Sequence, residues 1–423
     1  MSIKKVASAK IKLLFLCVLL VVLVAATVLV LPKDSKSTEN YPVEPYFGVS
    51  FCGDTPEEAK VLIDKIKDYT NLLVIQSGPV SKNETATNII CNYAVDAGLD
   101  FIMFFGWFDN NKAPWQRDWL EYATDTWGEN FLGIYFFDEP GGLQLDQDWD
   151  FIFNHIKQVD EEYLTQYYEG MKKYVQGENQ TIIRDYELVK NNYVYYFENH
   201  LGLQILNNQS IPAFTSDYGL YWFDYLGGYD TVFAELGWGH DSEKQIALCR
   251  GAANVQQKDW GTIIVWNELN EELQTGEYKT APEMLEDMMI SYEAGADYII
   301  IFNYPTNFPE KQYGILTDDH FEAMQQFWNY MEQNPDDYGK TVGEVALVLP
   351  ENYGWGMRTL DDRIWGYWGP DEYSEQIWNK LQDLLDQYGL TLDIVYDDPN
   401  YALEELYSKV FIIFSFPGIV FGF

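Results

Sequence analysis

The sequence predicts an α/β fold: a TIM (β/α)₈ barrel followed by a small flavodoxin- or amidotransferase-like α/β domain, with a transmembrane helix at the N-terminus. Three observations predict it. Eight short apolar runs alternate with amphipathic stretches between residues 46 and 333, which is the pattern of a parallel barrel. A shorter alternation of the same kind follows over residues 342–423. A long apolar run precedes both, close to the N-terminus.

The apolar run from Leu13 to Leu31 has the length of a membrane-spanning helix, since about 19 such residues cross roughly 30 Å of hydrocarbon. We predict a signal-anchor helix over residues 1–32 and a polar stalk over residues 33–45. This gives a single-pass cell-membrane protein with an extracytoplasmic C-terminal bulk. Cleavage near Val24-Ala25-Ala26, which gives a secreted protein, is the alternative. The lysines that favour a cytoplasmic N-terminus are Lys4, Lys5, Lys10 and Lys12.

Composition restricts the partners of the protein. With 27 Lys and Arg against 66 Asp and Glu, the net charge of -39 argues against nucleic acid and anionic lipid headgroups as partners. Aromatic residues make up 17% of the chain, and the faces of Tyr and Trp suit sugar rings as well as cores. The sequons at Asn83, Asn179 and Asn208 are compatible with an exported glycoprotein.

The cysteine and histidine patterns predict neither a metal nor a cofactor. Cys17 lies in the apolar run, and Cys52, Cys91 and Cys249 have no close spacing, so no disulfide framework or metal knuckle can be read from them. The four histidines form no HxxxH or HxH pair. A dedicated zinc site is therefore not expected.

Each predicted barrel strand is a short run of β-branched and aromatic residues. Some, such as Phe101-Ile102-Met103-Phe104-Phe105, are apolar throughout, as expected of parallel strands that are buried on both faces. Between them lie helical patterns, and Thr55-Pro56-Glu57-Glu58 has the cap and the proline of a helix start. The eight predicted strands are Tyr46–Phe51, Asn71–Gln76, Phe101–Gly106, Leu132–Phe137, Ile211–Ser216, Thr231–Leu236, Thr262–Trp266 and Tyr298–Asn303.

The barrel is predicted over residues 46–333 with one long insertion, residues 140–210, between the fourth and fifth strands. We expect the insertion above the C-terminal face of the barrel, where it either packs or walls a cleft. The predicted helices here are Trp149–Val175 and Ile182–Asn199, and the helix Asp319–Glu332 ends the barrel. In the small domain we predict the strands Glu344–Leu349, Leu392–Tyr396 and Val410–Phe414, with the helices Tyr373–Tyr388 and Tyr401–Tyr407.

Reactive groups of such a barrel collect at the C-terminal ends of its strands. The residues that follow the eight runs are carboxylates, amides and aromatics, without a Ser-His or Cys-His set. Glycosidic cleavage needs one carboxylic acid to protonate the leaving oxygen and a second carboxylate to attack the anomeric carbon or to activate water. We predict Glu139, after the fourth strand, as the acid/base. Glu268 after the seventh strand, or Glu235 after the sixth, is the second carboxylate.

The remaining strand-end residues are assigned to support and to substrate. Asp138, next to Glu139, is a further catalytic candidate. Aromatic neighbours are expected to stack on sugar rings and to raise the pKa of an adjacent acid. A structural role is the alternative for each carboxylate; Glu235, for example, could pair with Arg250. The predicted substrate-binding residues are Trp107, Asp217, Tyr218, Trp238, Trp266, Asn267, Asn303 and Tyr304.

A barrel with Glu139 after strand four, and with Glu268 in a Trp-Asn-Glu sequence after strand seven, resembles the clan of (β/α)₈ glycoside hydrolases that carry the acid/base and the nucleophile on those strands. The added amidotransferase-like domain is similar to the layout of family 42 β-galactosidases, in which an asparagine stands at the position of Asp138. The resemblance implies a glycoside hydrolase acting on an oligo- or polysaccharide. A catalytically inactive glycan-binding protein, or a structural cell-envelope protein, is the alternative.

Overall fold

The computed structural model describes residues 45–106, 108, 113–146, 184–270, 275–305 and 313–413, without the side chains of residues 268–270 and 275–276. Eight parallel strands close into a barrel in the order β1-β10-β7-β6-β5-β4-β3-β2, so the predicted (β/α)₈ barrel is confirmed. Its strands are β1 (Tyr46–Phe51), β2 (Leu72–Ile75), β3 (Asp100–Phe104), β4 (Phe131–Tyr135), β5 (Ala213–Asp217), β6 (Thr231–Leu236), β7 (Asp259–Ile264) and β10 (Tyr298–Ile301).

Helices follow the strands along the chain. At the predicted helix start, the Thr55 hydroxyl accepts a hydrogen bond from the Glu58 backbone N–H, and the Glu58 carboxylate accepts one from the Thr55 backbone N–H. These two bonds form a capping box. The described helices up to the end of the barrel are α1 (Pro56–Ile66), α2 (Gly78–Ser81), α3 (Glu84–Asp96), α4 (Gln116–Trp127), α5 (Pro140–Asp146), α6 (Tyr186–Glu198), α7 (Leu201–Gln209), α8 (Tyr221–Leu226), α9 (Ser242–Gln256), α10 (Ala281–Glu293) and α11 (Asp318–Gln333).

Barrel strands place alternate side chains inside and outside, and a bulge in β4 shifts that alternation. Phe101 of β3 pairs with Phe131, whereas Ile102 pairs with Gly133, so Leu132 is an extra residue. A side chain at Gly133 would meet the Pro212 carbonyl at 2.3 Å. After the bulge Tyr135 points into the barrel interior, where it joins the inner apolar cluster.

A second, small sheet of three parallel strands has the order β12-β11-β13. This confirms a small sheet beside the barrel, although the predicted helix over Tyr401–Tyr407 is only a 3-10 turn at Leu403–Glu405. The elements of this part are β11 (Val345–Leu349), α12 (Glu372–Tyr388), β12 (Leu392–Tyr396) and β13 (Lys409–Ile412).

Helix α9 joins the barrel to the small sheet. Gly251 lets the helix approach β12 closely, because a Cβ there would lie 2.7 Å from the Ile394 carbonyl. Beside it Arg250 Nε lies 2.7 Å from Asp393 Oδ1, with 2% and 0% of the two side chains exposed. The partner of Arg250 is therefore Asp393 and not Glu235.

One predicted strand differs from the structure, and three predicted segments lie outside the described residues. Strand β7 ends at Ile264, and Trp266–Asn270 forms β8, which pairs antiparallel with β9 (Thr275–Tyr278). The predicted helix Trp149–Val175 and the N-terminal anchor and stalk lie outside the described residues. Within the ranges that the structure describes, no helix combines the length and the apolarity needed to cross a membrane.

Candidate active site

Strand β4 delivers Asp138 and Glu139 to the C-terminal mouth of the barrel. The chain turns sharply here, because Phe137 and Glu139 both have left-handed backbone angles, with φ of 57° and 52°. Helix α5 begins at the next residue, Pro140, whose missing N–H suits the first helical position. Asp138 and Glu139 both keep part of their surface exposed.

Strands β5 and β6 contribute Ser216 and Glu235. Each follows an inward aromatic residue by two positions, Phe214 and Phe233, which belong to the inner cluster. The alternation of a strand therefore directs Ser216 and Glu235 to the same side. Glu235 is only 3% exposed, so its carboxyl group is almost completely shielded from solvent.

Hydrogen bonds connect these side chains into one network. The Ser216 hydroxyl donates to Glu235 Oε1 at 2.6 Å, and Trp238 Nε1 donates to Glu235 Oε2 at 2.5 Å. The Tyr135 hydroxyl donates to Asp138, and its oxygen lies 2.7 Å from Ser216 Oγ. Both oxygens of Glu235 are thus held by donors from the protein.

The carboxyl groups of Glu139 and Glu235 face each other closely enough to interact. Burial raises the pKa of Glu139 well above its usual range, and the facing charges of Glu235 and Asp138 raise it further. Burial, followed by Asp138, raises the pKa of Glu235 to about 8, against the donors Ser216 and Trp238, which lower it. Burial also raises the pKa of Asp138. A carboxyl pair in contact retains a proton that isolated carboxylates would lose.

Asp217 follows Ser216 at the end of β5 and is fully buried. Its Oδ1 accepts the backbone N–H of Gly142 at 2.8 Å and of Tyr218 at 2.7 Å, and its Oδ2 accepts that of Gly141 at 2.5 Å. Burial raises the pKa of Asp217 to about 7, although these backbone donors lower it. Its carboxylate is thus occupied by the protein's own backbone.

The other predicted residues are spread around the mouth. Trp266 O accepts the backbone N–H of Trp238 at 2.6 Å, so the two lie side by side. Tyr304 is 51% exposed. The Asn267 side-chain amide donates to the Glu283 carboxylate on α10 at 3.4 Å. The Asn303 side chain is buried, and the Tyr218 hydroxyl donates to Asp146 at 2.7 Å.

Two predicted residues have no described side chain. Trp107 lies outside the described residues, and for Glu268 only the backbone is described. That backbone belongs to β8 and pairs with Glu277, so Glu268 does not end a barrel strand. Its place in the site stays a prediction.

Sequence reasoning missed Tyr135, Ser216 and Gln76. Gln76 continues the inward row of Leu72 and Val74 on β2, a period-two signal that was available in the sequence. The Gln76 side-chain oxygen is buried and receives no hydrogen bond from any described residue. The inward position of Tyr135 depends on the bulge in β4, which the sequence does not reveal.

Among the described residues, no group of three or more His, Cys, Asp or Glu side chains is arranged to hold a metal ion. The carboxyl groups at the mouth are instead engaged with one another and with hydroxyl, indole and backbone donors. The chemistry that they offer is proton transfer and carboxylate attack.

Comparisons with known proteins show similarity of fold. No family model and no curated protein matches the sequence. Similar solved structures include the GH99 endo-alpha-mannosidase from Bacteroides thetaiotaomicron, at 12% identity and a TM-score of 0.36 over 67% of this chain and 81% of that chain. A Rhizomucor miehei beta-1,3-glucanosyltransferase mutant has 12% identity and a TM-score of 0.36 over 65% and 94%.

The 3-hexulose-6-phosphate synthase from Salmonella typhimurium is also similar, at 10% identity and a TM-score of 0.33 over 68% of this chain and 99% of that chain. Glycan-acting barrels are thus among the similar structures, beside a barrel of different activity. Similarity at this level carries no argument about activity, since one barrel hosts many functions. None of these three is a family 42 β-galactosidase, and that finer resemblance stays a prediction.

Proposed function

We propose that the barrel is a glycoside hydrolase that uses Glu139 and Glu235 as its paired carboxyl groups. The observation that carries the proposal is that these two carboxyl groups face each other at the mouth, where Ser216 and Trp238 hold Glu235 by hydrogen bonds. Once Glu235, with its pKa of about 8, has lost its proton, the pair consists of one carboxylic acid and one carboxylate. Glycosidic cleavage requires this combination.

The donors around the pair suggest which group keeps the proton. Ser216 and Trp238 both donate to Glu235, and hydrogen bonds to a carboxylate favour its ionised form. We therefore assign the proton to Glu139, as general acid/base, and the negative charge to Glu235. Glu268 remains the alternative second carboxylate.

The separation of the pair favours retention of configuration. Retaining enzymes hold their carboxyl groups about 5–5.5 Å apart, and inverting enzymes about 6.5–9.5 Å apart. Because the carboxyl groups of Glu139 and Glu235 interact directly at the mouth, we assign the closer, retaining arrangement to the proposed site. Glu235 then attacks the anomeric carbon, while Glu139 protonates the leaving oxygen and later activates water.

The opposite side of the mouth fits an uncharged, hydroxyl-rich ligand. Cys52 and Gln76 follow the ends of strands β1 and β2 there, and burial raises the pKa of the Cys52 thiol to about 12, with a further increase from Asp138. Cys52 is thus neutral, and the Gln76 oxygen, which receives no hydrogen bond from any described residue, is the proposed acceptor for a sugar hydroxyl. The acidic surroundings disfavour polyanions, so we propose a neutral oligo- or polysaccharide as substrate.

The proposed location is the cell membrane, and it rests on the sequence alone. The apolar run Leu13–Leu31 would anchor the chain, with the barrel on the extracytoplasmic side. Fractionation of cells tests this: the full-length protein should stay with membranes after a high-salt wash. Release of the protein into the medium would instead indicate signal-peptide cleavage.

A screen of the purified full-length protein against aryl glycosides and neutral polysaccharides tests the activity. We expect turnover that Glu139→Gln and Glu235→Gln remove and that Glu268→Gln leaves intact. Loss of activity in Glu268→Gln but not in Glu235→Gln would assign the role of the second carboxylate to Glu268 on β8. Binding without turnover by the unaltered protein would favour the glycan-binding alternative.

A further inference from the structure

The short helix α5, which begins immediately after Glu139, is held at both ends by residues from distant parts of the chain. We propose that Asp217, at its start, and Arg358, at its end, are positioning residues that hold the Glu139 carboxyl group against Glu235. The proposal rests on the proposed function only in giving Glu139 a catalytic role, because the holding contacts themselves do not depend on it.

At the start of α5, Asp217 takes the place of a local helix cap. Glu139 is the residue before the helix, and its carbonyl accepts the Leu143 N–H at 2.9 Å. Its side chain points to Glu235 instead of to the helix. The first free N–H groups of the helix, those of Gly141 and Gly142, are bound by Asp217 from β5. A negative charge at a helix N-terminus also interacts favourably with the positive end of the helix dipole.

Two glycines make this approach possible. A Cβ at Gly141 would lie 2.5 Å from the Gly219 carbonyl and 2.8 Å from Asp217 Oδ2. A Cβ at Gly142 would lie 2.1 Å from the Tyr218 ring. The sequence Asp138-Glu139-Pro140-Gly141-Gly142 is therefore shaped to dock on Asp217-Tyr218-Gly219.

The turn that Asp217 holds is unfavourable by itself. Phe137 and Glu139 have positive φ without being glycine, and such residues keep this conformation only where the surroundings impose it. The Glu139 N–H is also bound, by the Ser216 carbonyl at 3.1 Å. Removal of the Asp217 carboxylate would therefore let the turn relax and carry Glu139 away from Glu235.

Asp217 is itself held in place by a neighbouring buried residue. Its carboxyl group interacts with that of Asp224 on α8, which is fully buried as well. The Tyr193 hydroxyl donates to Asp224 at 2.5 Å. Burial and the charge of Asp217 raise the pKa of Asp224 well above its usual range, and the protonated form of Asp224 can donate to Asp217.

At the end of α5, Arg358 reaches in from the segment between β11 and α12. Its Nη1 lies 2.6 Å from Asp146 Oδ1, while its Nη2 lies 2.8 Å from Asp362 Oδ1. Asp146 also accepts the Tyr218 hydroxyl. The same segment binds α5 a second time, where Gln144 Nε2 donates to the Trp365 carbonyl at 2.9 Å. The C-terminal part of the chain thus holds helix α5, which begins directly after Glu139.

Amide hydrogen exchange of the full-length protein tests the holding contacts without any substrate. In Asp217→Ala we expect the amides of Glu139 and of residues 141–143 to exchange at least about tenfold faster than in the unaltered protein, as local opening predicts. Asp217→Asn keeps one acceptor oxygen and should give an intermediate increase. Arg358→Gln should accelerate exchange of residues 143–146.

Asp393→Asn is the matched control, because Asp393 is as fully buried as Asp217 and pairs with Arg250 on α9. We expect it to lower the melting temperature without faster exchange in residues 139–146. Equal acceleration in the Asp217 and Asp393 variants would overturn the proposal. If Asp217→Ala does not fold, Asp217→Asn and Arg358→Gln decide, and unchanged exchange in α5 in both would overturn it.

Kinetics give the second readout. In the active enzyme, Asp217→Asn and Arg358→Gln should lower kcat with little change in KM, since neither residue faces the substrate. A raised KM at unchanged kcat would mean that the residue binds substrate, which contradicts a positioning role. If the unaltered protein has no glycosidase activity while the exchange results are as expected, the proposed function fails and the positioning of Glu139 stands.

Discussion

The carboxyl groups of Glu139 and Glu235 meet across an intervening strand. They come from β4 and β6, which both pair with β5, and Ser216 of β5 bonds Glu235 from between them. Two acids from non-adjacent strands are thus brought together by the curvature of the barrel. This pair of carboxyl groups is the central element of the proposed site.

Small nucleophiles should distinguish the roles of the two glutamates. Each alanine variant should lose about 10²–10⁴ in kcat, the usual contribution of such a group, and leave space for azide. With an aryl glycoside, Glu139→Ala should give a glycosyl azide of retained configuration, and Glu235→Ala one of inverted configuration. Product analysis by NMR checks this. The same configuration from both variants would contradict the assignment.

Trp238→Phe should change the pH dependence of the reaction. The substitution keeps an aromatic ring but removes the indole N–H that donates to Glu235, a bond that lowers the pKa of Glu235. The pKa of Glu235 should therefore rise, and the acidic limb of the pH–rate profile should move to higher pH. Profiles of kcat/KM for the two proteins test this; a shift to lower pH would contradict it.

Stability should fall as the pH rises through neutrality. Glu235 has a pKa of about 8 in the folded protein against its usual 4.5, so the folded state binds more protons than the unfolded state between these values. Such a group reduces the free energy of unfolding by at most about 1.4 kcal/mol per pH unit within that window. Asp217, with a pKa of about 7, contributes the same sign.

Urea denaturation between pH 5 and about pH 8 measures this slope. Glu235→Gln should be less sensitive to pH than the unaltered protein, because it cannot lose a proton. The substitution Glu57→Gln, at an exposed position in the first turn of α1, is the control and should keep the original slope. An identical slope in Glu235→Gln would show that Glu235 is not the titrating group.

Gln76→Leu should separate stability from binding. Leucine has a similar size, and it removes an amide oxygen that no described residue pairs with; an unpaired buried polar group costs about 1–3 kcal/mol. We expect the melting temperature to stay the same or to rise, while affinity for the saccharide falls. Calorimetric titration and thermal unfolding check the two effects. Lower stability with unchanged affinity would assign Gln76 to the fold alone.

The buried ion pair between α9 and β12 should be important for stability. Asp393→Ala leaves Arg250 charged and without its partner, a change that typically costs about 3–5 kcal/mol in the free energy of unfolding. Denaturant titration checks this value. Glu243→Ala on the same helix is the control and should cost much less, since Glu243 is a partly exposed residue in its first turn.

The sequence was sufficient for the barrel and for part of the site. Apolar runs locate the strands because both of their faces are buried, and alternation with Phe233 directs Glu235 inward. Alternation alone could not reveal the bulge at Leu132 or the separate hairpin at Trp266, since both depend on pairing between strands.

The hydrogen bonds between the Asp217 carboxylate and backbone N–H groups could not be predicted from the sequence either. Nothing near Asp217 in the sequence indicates that the helix after Glu139 needs a cap, because its partners, Gly141 and Gly142, are 76 and 75 positions away. A strand-end aspartate therefore looks like a substrate ligand. Arg358 is still more remote, 212 positions from Asp146, and no local pattern connects the two.

The contact between Arg358 and Asp146 also has a consequence for biosynthesis. Chains are made from the N-terminus at about 5–20 residues per second, and the last barrel strand ends at Ile301. The barrel can therefore close on the ribosome before Arg358 has been made. We expect the nascent protein to pass through a stage in which the barrel is complete but Glu139 is not yet locked, so that catalytic competence arrives only with the C-terminal segment.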